Sequence, residues 1–388
     1  MYTEPDASAH DFPEPFTVEA QGHSFTFMPD GVHRYAALLA CINDAKNKLE
    51  VFYYMFQDDP AGRPVRDALV AAAERGVDVK LVVDRFGTDA DEEFFQPIVD
   101  AGGSFCFFNP KTTRRYLIRN HQKMCIADEE MAIVGGFNIS ENYFKPPEEN
   151  GWTDLGVIMR GPCVEKLREW YKLVRDWAKN DKAQYRAVRD MVREWEPGDG
   201  KVRLLVGGPT RVPSNWEYFI KRDFNDGKKL HMVMAYFSPP RSYRRLLRKF
   251  AQRGDVNLVM AAKSDNSATI AAARATYSKL LKAGAKIYEF QPSKLHMKLL
   301  VVDDVTYFGS SNFDHRSIRL NLEMMFRVED QELADRMREF IGSMQDASEH
   351  ITPELHRERS NPWERFKRWI GWSLVSIVDY TVTRRLNP

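Results

Sequence analysis

The sequence predicts an α/β protein built from two duplicated halves. Each half is an α/β/α unit whose mixed, mostly parallel sheet is flanked by helices, and a pseudo-two-fold axis relates them around one shared site. Three observations carry this expectation. Strand-like and helix-like segments alternate, as parallel sheets with helical cover require. The same order of segments occurs twice, which is the signature of duplication. A short pattern, His-x-Lys-x4-Asp followed by a Gly-containing turn and an Asn, also occurs twice, with its two His residues at 121 and 296.

The elements follow in order. LEVFYYMF (49–56) reads as a buried strand, PVRDALVAAAERG (64–76) as a helix and VDVKLVVD (77–84) as a second strand. KKLHMVMAYF (228–237), PRSYRRLLRKFAQRG (240–254) and VNLVMAA (256–262) repeat that order. Both halves continue with a helix ending in Ala-Gly-Gly (101–103) or Ala-Gly-Ala (283–285), then a short strand, then the His-x-Lys strand. A helix from Cys163 to about Lys179 closes the first half, and the charged stretch 179–201, ending in Pro-Gly-Asp-Gly, marks a boundary. The division expected is 1–180 for the first half, 181–200 for a linker, 201–345 for the second half and 346–388 for a tail.

Composition narrows the function classes. The chain has 388 residues, 43% hydrophobic and 29% charged, which is ordinary for a globular protein. A formal net charge of +1 provides no global field for nucleic acid. Cys41, Cys106, Cys125 and Cys163 lack close metal-ligand spacing and read as reduced thiols of a cytosolic protein. No signal-peptide pattern opens the chain, and no apolar run approaches the roughly 18–20 residues of a membrane-spanning helix. The expectation is a cytoplasmic chain that meets membranes peripherally.

The paired motifs carry the chemistry. Residues two apart on a strand share a face, so His121 and Lys123 point into one space, as do His296 and Lys298. Two imidazoles and two ammonium groups suit attack on a phosphodiester. Neutral imidazole is a competent nucleophile near pH 7, and a second, protonated imidazole can deliver the leaving-group proton. Lys123, Lys298, Asn138 and Asn312 can hold the phosphoryl oxygens. This chemistry calls for no metal or other cofactor. A carboxylate fixes the tautomer of a working His. Asp154, 33 residues after His121, and Glu323, 27 residues after His296, occupy matching positions and are the candidates, one for each motif. Asp128 and Asp303 end the His-x-Lys strands before a turn and, with Gly136 and Ser310, are expected to support the loops rather than touch substrate.

These residues resemble the phospholipase D superfamily, over roughly residues 22–330. RNHQKMCIADEEMAIVGGFNISENYF (119–144) and KLHMKLLVVDDVTYFGSSNFDHRSIRLNLEM (294–324) are most similar to bacterial cardiolipin synthases, as are FQDDPAGRPVRDAL (56–69), VDRFGT (83–88) and IYEFQPSKLHMK (287–298). The resemblance implies transfer of a phosphatidyl group between two phospholipids, usually two phosphatidylglycerols, through a covalent phosphohistidine. It also implies that His121 is the nucleophile and His296 the acid, then base. The chain departs from many cardiolipin synthases in lacking their N-terminal transmembrane pair. The alternatives are a hydrolytic phospholipase D giving phosphatidic acid and, more remotely, a nuclease of the superfamily, which lacks a basic stripe to support it.

The tail NPWERFKRWIGWSLVSIVDYTVTRRLNP (361–388) places Trp363, Phe366, Ile370, Leu374, Ile377 and Thr381 at helical spacing, with Arg365, Lys367, Arg368, Arg384 and Arg385 around them. An amphipathic helix of this kind lies at an anionic membrane surface or packs on the protein body. Of the other basic stretches, 241–250 reads as the solvated face of a repeat helix, with a headgroup contact as the alternative, and 111–119 as a rim of the site. The oligomeric state stays open.

Overall fold

The computed structural model describes residues 12–109, 118–180, 185–264 and 267–359. The first half contributes β1 (Phe16–Ala20), β2 (His23–Met28), α1 (Gly31–Asp44), β3 (Lys48–Tyr53), α2 (Gly62–Glu74), β4 (Asp78–Asp84), α3 (Glu92–Asp100), β5 (Ser104–Phe108), β6 (Lys123–Ala127), β7 (Met131–Gly135), β8 (Trp152–Thr153), β9 (Gly156–Arg160) and α4 (Cys163–Lys179). After α5 (Tyr185–Glu194) come β10 (Val202–Gly207), α6 (Asn215–Asp226), β11 (Lys229–Met234), β12 (Phe237–Ser238), α7 (Arg241–Ala251), β13 (Asp255–Ala261), α8 (Ser267–Leu281) and β14 (Lys286–Phe290). The second half then runs through β15 (Lys294–Leu295), β16 (Lys298–Val302), β17 (Val305–Gly309), β18 (Phe313–Asp314), α9 (His315–Arg319), β19 (Glu323–Glu329), α10 (Gln331–Asp346), β20 (Ser348–His350) and α11 (Pro353–Glu358).

Two eight-stranded sheets result, ordered β1-β2-β9-β7-β6-β3-β4-β5 and β10-β19-β17-β16-β11-β13-β14-β20. The mixed, duplicated architecture is the one expected, but parallel pairing is the minority. Within these two sheets only β3-β4-β5 and β11-β13-β14 are parallel, and two short pairs outside them, β12-β18 and β15-β8, are parallel as well. The His-x-Lys strands run antiparallel to β3 and β11 and turn straight back into β7 and β17. A tight turn permits only antiparallel return, whereas parallel pairing needs a crossover helix, and each half has just two.

One hydrophobic cluster joins inner-face residues of both sheets to α4 and α10. Separate clusters pack α1–α3 on the outer face of the first sheet and α6–α8 on that of the second. Strands β6 and β16 are therefore covered on both sides, and every residue in each is buried. This explains why KMCIA and KLLVV read as continuous apolar runs beyond their lysines.

The expected division needs two changes. Helix α5 lies within the presumed linker, yet Val188 and Val192 are buried in the cluster shared by both halves. Strand β20 pairs with β14, so the second sheet extends past residue 345. The helix expected from 361 onward and most of the 111–119 stretch lie outside the described residues.

Candidate active site

The pairing register brings the two motifs to one end of the molecule. Lys123 opens β6 opposite Tyr53, and Lys298 opens β16 opposite Met234. The lead-in to each strand is joined to the other half. Leu322 of the second half accepts from the His121 amide (2.9 Å), and Thr153 of the first accepts from the His296 amide (2.7 Å). Residues 294–295 run parallel to residues 152–153 across the same junction.

The orienting carboxylates are exchanged between halves. His296 Nδ1 lies 2.7 Å from Asp154 Oδ2, and His121 Nδ1 lies 3.2 Å from Glu323 Oε2. Sequence spacing names the two carboxylates, and the structure shows that each meets the His of the other half. The crossing arises because β9 and β19 both begin at the shared junction, where each faces the opposite motif. Each carboxylate can accept from the Nδ1–H of the ring it meets, which leaves the Nε2 lone pair free; at His296 the ammonium of Lys298 also lies 2.8 Å from Nδ1 and 3.1 Å from Nε2.

The two sides differ in detail. His121 Nδ1 is also 3.2 Å from the carbonyl of Ser310, whose hydroxyl donates to Glu323. At the matching position, Gly136 leaves room for Asp154, since a Cβ there would lie 2.4 Å from Oδ1. Asp154 Oδ1 accepts from the Leu155 amide at 2.7 Å. The His121 side chain is 11% exposed and that of His296 4%. Three aromatic rings surround His296: Tyr143 at 5.2 Å, Trp152 at 5.4 Å and Tyr236 at 5.9 Å between centroids. Against His121 the described ring is Tyr54, at 4.8 Å.

Burial sets the electrostatics. It lowers the pKa of His296 to about 3, with the charge of Lys298 adding to the effect and Asp154 opposing it. His121 is lowered by burial and then by Lys123, against Glu323. Lys123 is brought down to about 7 by burial, with Glu323 opposing and Lys298 reinforcing. Burial alone would raise Asp154 and Glu323, yet Lys298 and the hydrogen-bonded His296 beside the one, and the hydrogen-bonded His121 and Lys123 beside the other, hold both below the usual carboxylate range. Burial thus favours the neutral form of both rings. An anionic phosphodiester between the lysines would offset the charge that depresses both rings.

Other expected residues are placed as follows. Asn138 and Asn312 are both buried, and the Asn138 amide donates to the Tyr143 hydroxyl at 2.8 Å. Asp128 and Asp303 adopt positive φ (50° and 52°) in the turns at the far ends of β6 and β16. Asp128 accepts from the amides of Lys46, Asn47 and Lys48, and Asp303 from those of Lys228 and Lys229. A five-residue strand, roughly 17 Å long, keeps each away from the lysine that opens it.

Sequence reasoning missed Arg34 and Asp84. Arg34 is fully buried and donates to the carbonyls of Pro29, Tyr143, Trp152 and Asp154. It thus ties together the backbone of three groups that surround His296. Its signal was available: Arg34 shares the buried stripe of α1 with Leu38, Cys41 and Ile42, where a charge is out of place unless bonded. Asp84 ends β4 and accepts from the Asn120 amide at 2.7 Å, fixing the residue before His121. Burial raises its pKa to about 6, against the amides of Asn120 and Gly87.

A family model described as cardiolipin synthase, PLD-like domain, matches residues 38–172 and 220–344. The chain belongs to this family. Each matched segment contains one His-x-Lys strand, so this phospholipase D-like chain carries the family's domain twice. Among curated proteins it is similar to the major cardiolipin synthase of Bacillus subtilis, 29% identical over 93% of this chain and 77% of that one. It is equally similar to cardiolipin synthase 1 of Bacillus anthracis, 29% identical over 83% of this chain and 66% of the relative. Its fold is that of the phosphatidylserine synthase from Haemophilus influenzae, with a TM-score of 0.73 at 14% identity, covering 96% of each chain. Among the described residues no helix is long and apolar enough to cross a membrane.

Proposed function

We propose that this chain is a cardiolipin synthase-type phosphatidyltransferase whose two phospholipase D-like halves act as one catalytic unit. The observation that supports it most is the pair of crossed imidazole–carboxylate contacts beside two buried lysines, in a chain of this family. His121 Nε2 attacks phosphorus of a donor phospholipid, phosphatidylglycerol being the donor the resemblance implies. The P–O bond to glycerol breaks, and the departing oxygen takes a proton from His296. His296 then removes the proton from the hydroxyl of a second phospholipid, whose oxygen displaces the His121 nitrogen and regenerates the free ring. Lys123 and Lys298 carry the charge that balances the phosphoryl oxygens.

His296 must hold a proton for the first step although burial favours its neutral form. Substrate supplies the difference, because a phosphodiester anion lowers the net positive charge around the ring. Peripheral attachment of a cytoplasmic enzyme through residues 361–388 belongs to the same reading, and the alternation of Trp and apolar residues with Arg and Lys supports it. Incubation of the purified chain with phosphatidylglycerol vesicles, with products read by mass spectrometry, tests the assignment. Cardiolipin with stoichiometric glycerol is the expected result. Phosphatidic acid as the sole lipid product would replace it with hydrolysis.

A further inference from the structure

The register fixes which loops surround the mouth of the site. The heads of β6 and β16 meet there, so β2, β3, β4, β10, β11 and β13 all end on this face. The large apolar side chains exposed among the described residues are Val32, Phe86, Val99, Leu173, Val212 and Tyr218. Val32, Phe86, Val212 and Tyr218 all follow strands that end at the mouth, and the last two are 51% and 58% exposed.

First-half loops on this face expose both signs: Asp58, Asp89, Asp91, Glu92, Glu148 and Glu149, with Arg85 and with Arg63, which pairs with Asp58. The second-half loop 208–214 and the starts of α6 and α7 expose Arg211, Arg241 and Arg245. Among the described residues none of these three arginines forms an ion pair, and Glu217, the acidic residue of that stretch, is buried against Tyr243 and Arg319. Helices α6 and α7 pack side by side and loop 208–214 leads into α6, so this edge of the mouth, its lip, carries Val212, Tyr218 and the three arginines.

We propose that this lip seats on an anionic phospholipid bilayer. Val212 and Tyr218 enter the boundary between headgroups and acyl chains, and Arg211, Arg241 and Arg245 meet the lipid phosphates. The choice of partner rests on the phospholipid reading of the site. The argument for this surface is its own: exposed apolar groups beside unpaired cations, next to the opening through which a lipid headgroup must pass.

The test uses the full chain, with Arg241→Ser/Arg245→Ser and Val212→Ser/Tyr218→Ser as separate double variants. Binding is measured by co-sedimentation with phosphatidylglycerol–phosphatidylcholine vesicles, and turnover on a short-chain phosphatidylglycerol below its micelle concentration. The arginine pair is expected to weaken vesicle binding on the order of twentyfold and the apolar pair about tenfold, with turnover of the dispersed substrate within twofold of the parent. Vesicle binding within twofold of the parent for both variants overturns the proposal. So does a fall in dispersed-substrate turnover as large as the fall in binding, which would mean a disturbed site. If the parent turns over no lipid, the proposed reaction has failed, and the vesicle measurement still decides the lip.

Discussion

Exchanging each orienting carboxylate for its amide should affect the two histidines unequally. Asp154 accepts from the Leu155 amide through one oxygen and from His296 through the other, beside the ammonium of Lys298. In Asp154→Asn, a carbonyl turned to Leu155 sets the NH2 against the Nδ1–H of His296. The reverse orientation sets it against the Leu155 amide. The ring escapes by moving its proton to Nε2, which removes the lone pair that must work. The comparable exchange in a serine-protease triad lowers turnover by about 10⁴, or about 5.4 kcal/mol at 1.36 kcal/mol per decade.

Glu323→Gln keeps more of what it had. The glutamine carbonyl can occupy the Oε2 position, where it accepts from both His121 and the Ser310 hydroxyl, and the Ser310 carbonyl holds the same Nδ1–H independently. The charge is lost and the new NH2 takes the Oε1 position, 3.2 Å from Nδ1, but two acceptors for the Nδ1–H remain; at about 1.5–3 kcal/mol for a charge-assisted bond, turnover should fall about 10- to 100-fold. The assay is initial rate of lipid product on saturating phosphatidylglycerol vesicles, with circular dichroism to confirm folding of both variants. Equal losses, or a larger loss for Glu323→Gln, would refute the argument from these contacts.

Three further outcomes are expected. Lys123 titrates near 7 in the empty site, so its charge is lost as pH rises through that value and kcat/KM should decline above about pH 7; Lys123→Arg, charged throughout, should remove the decline. The same shift means that the folded chain binds fewer protons than the unfolded one between about pH 7 and 10.5, so this group's contribution to stability improves as pH rises across that window. Asp128→Ala removes three accepted amide bonds at a positive-φ position and should lower unfolding free energy by about 2 kcal/mol, with turnover per folded molecule unchanged; a tenfold loss of turnover at unchanged thermal stability would instead place Asp128 in the chemistry. Arg34→Lys cannot span four carbonyls with one ammonium, so kcat should fall about 100-fold at constant KM, and unchanged kcat would show that Arg34 does not position His296.

The parts legible in sequence were those set by local pattern. The repeated segment order located both sheets, and the spacing of His, Lys and matching carboxylates named the groups now found together. What sequence left out depends on contacts between distant segments. The exchange of Asp154 and Glu323 follows from where β9 and β19 begin relative to the opposite motif, and no residue type encodes that. The antiparallel return of β6 into β7 and of β16 into β17 follows from turns at Asp128 and Asp303, whose positive φ was not read from their identity. Arg34 was readable as a misplaced charge, but its carbonyl partners, up to 120 residues away, were not.

The asymmetry around the two rings bears on which one forms the covalent intermediate. A group that changes protonation twice per cycle benefits from a short contact to a buried carboxylate and from a rigid surround, which describes His296 with Asp154, Arg34 and three rings. A nucleophile must approach phosphorus and needs an open Nε2, which better describes His121, the more exposed ring, steered by two longer contacts. Glu323 and the Ser310 carbonyl still fix its tautomer while leaving the ring room to advance. Rapid acid quench during turnover, followed by peptide mass spectrometry, should therefore find the phosphatidyl adduct on the peptide containing His121. His121→Ala should abolish it, and His296→Ala should slow both its formation and its discharge. An adduct on His296 in the parent chain would reverse the roles, and the differences in exposure and contact length would then have to be explained by the demands of the acceptor step.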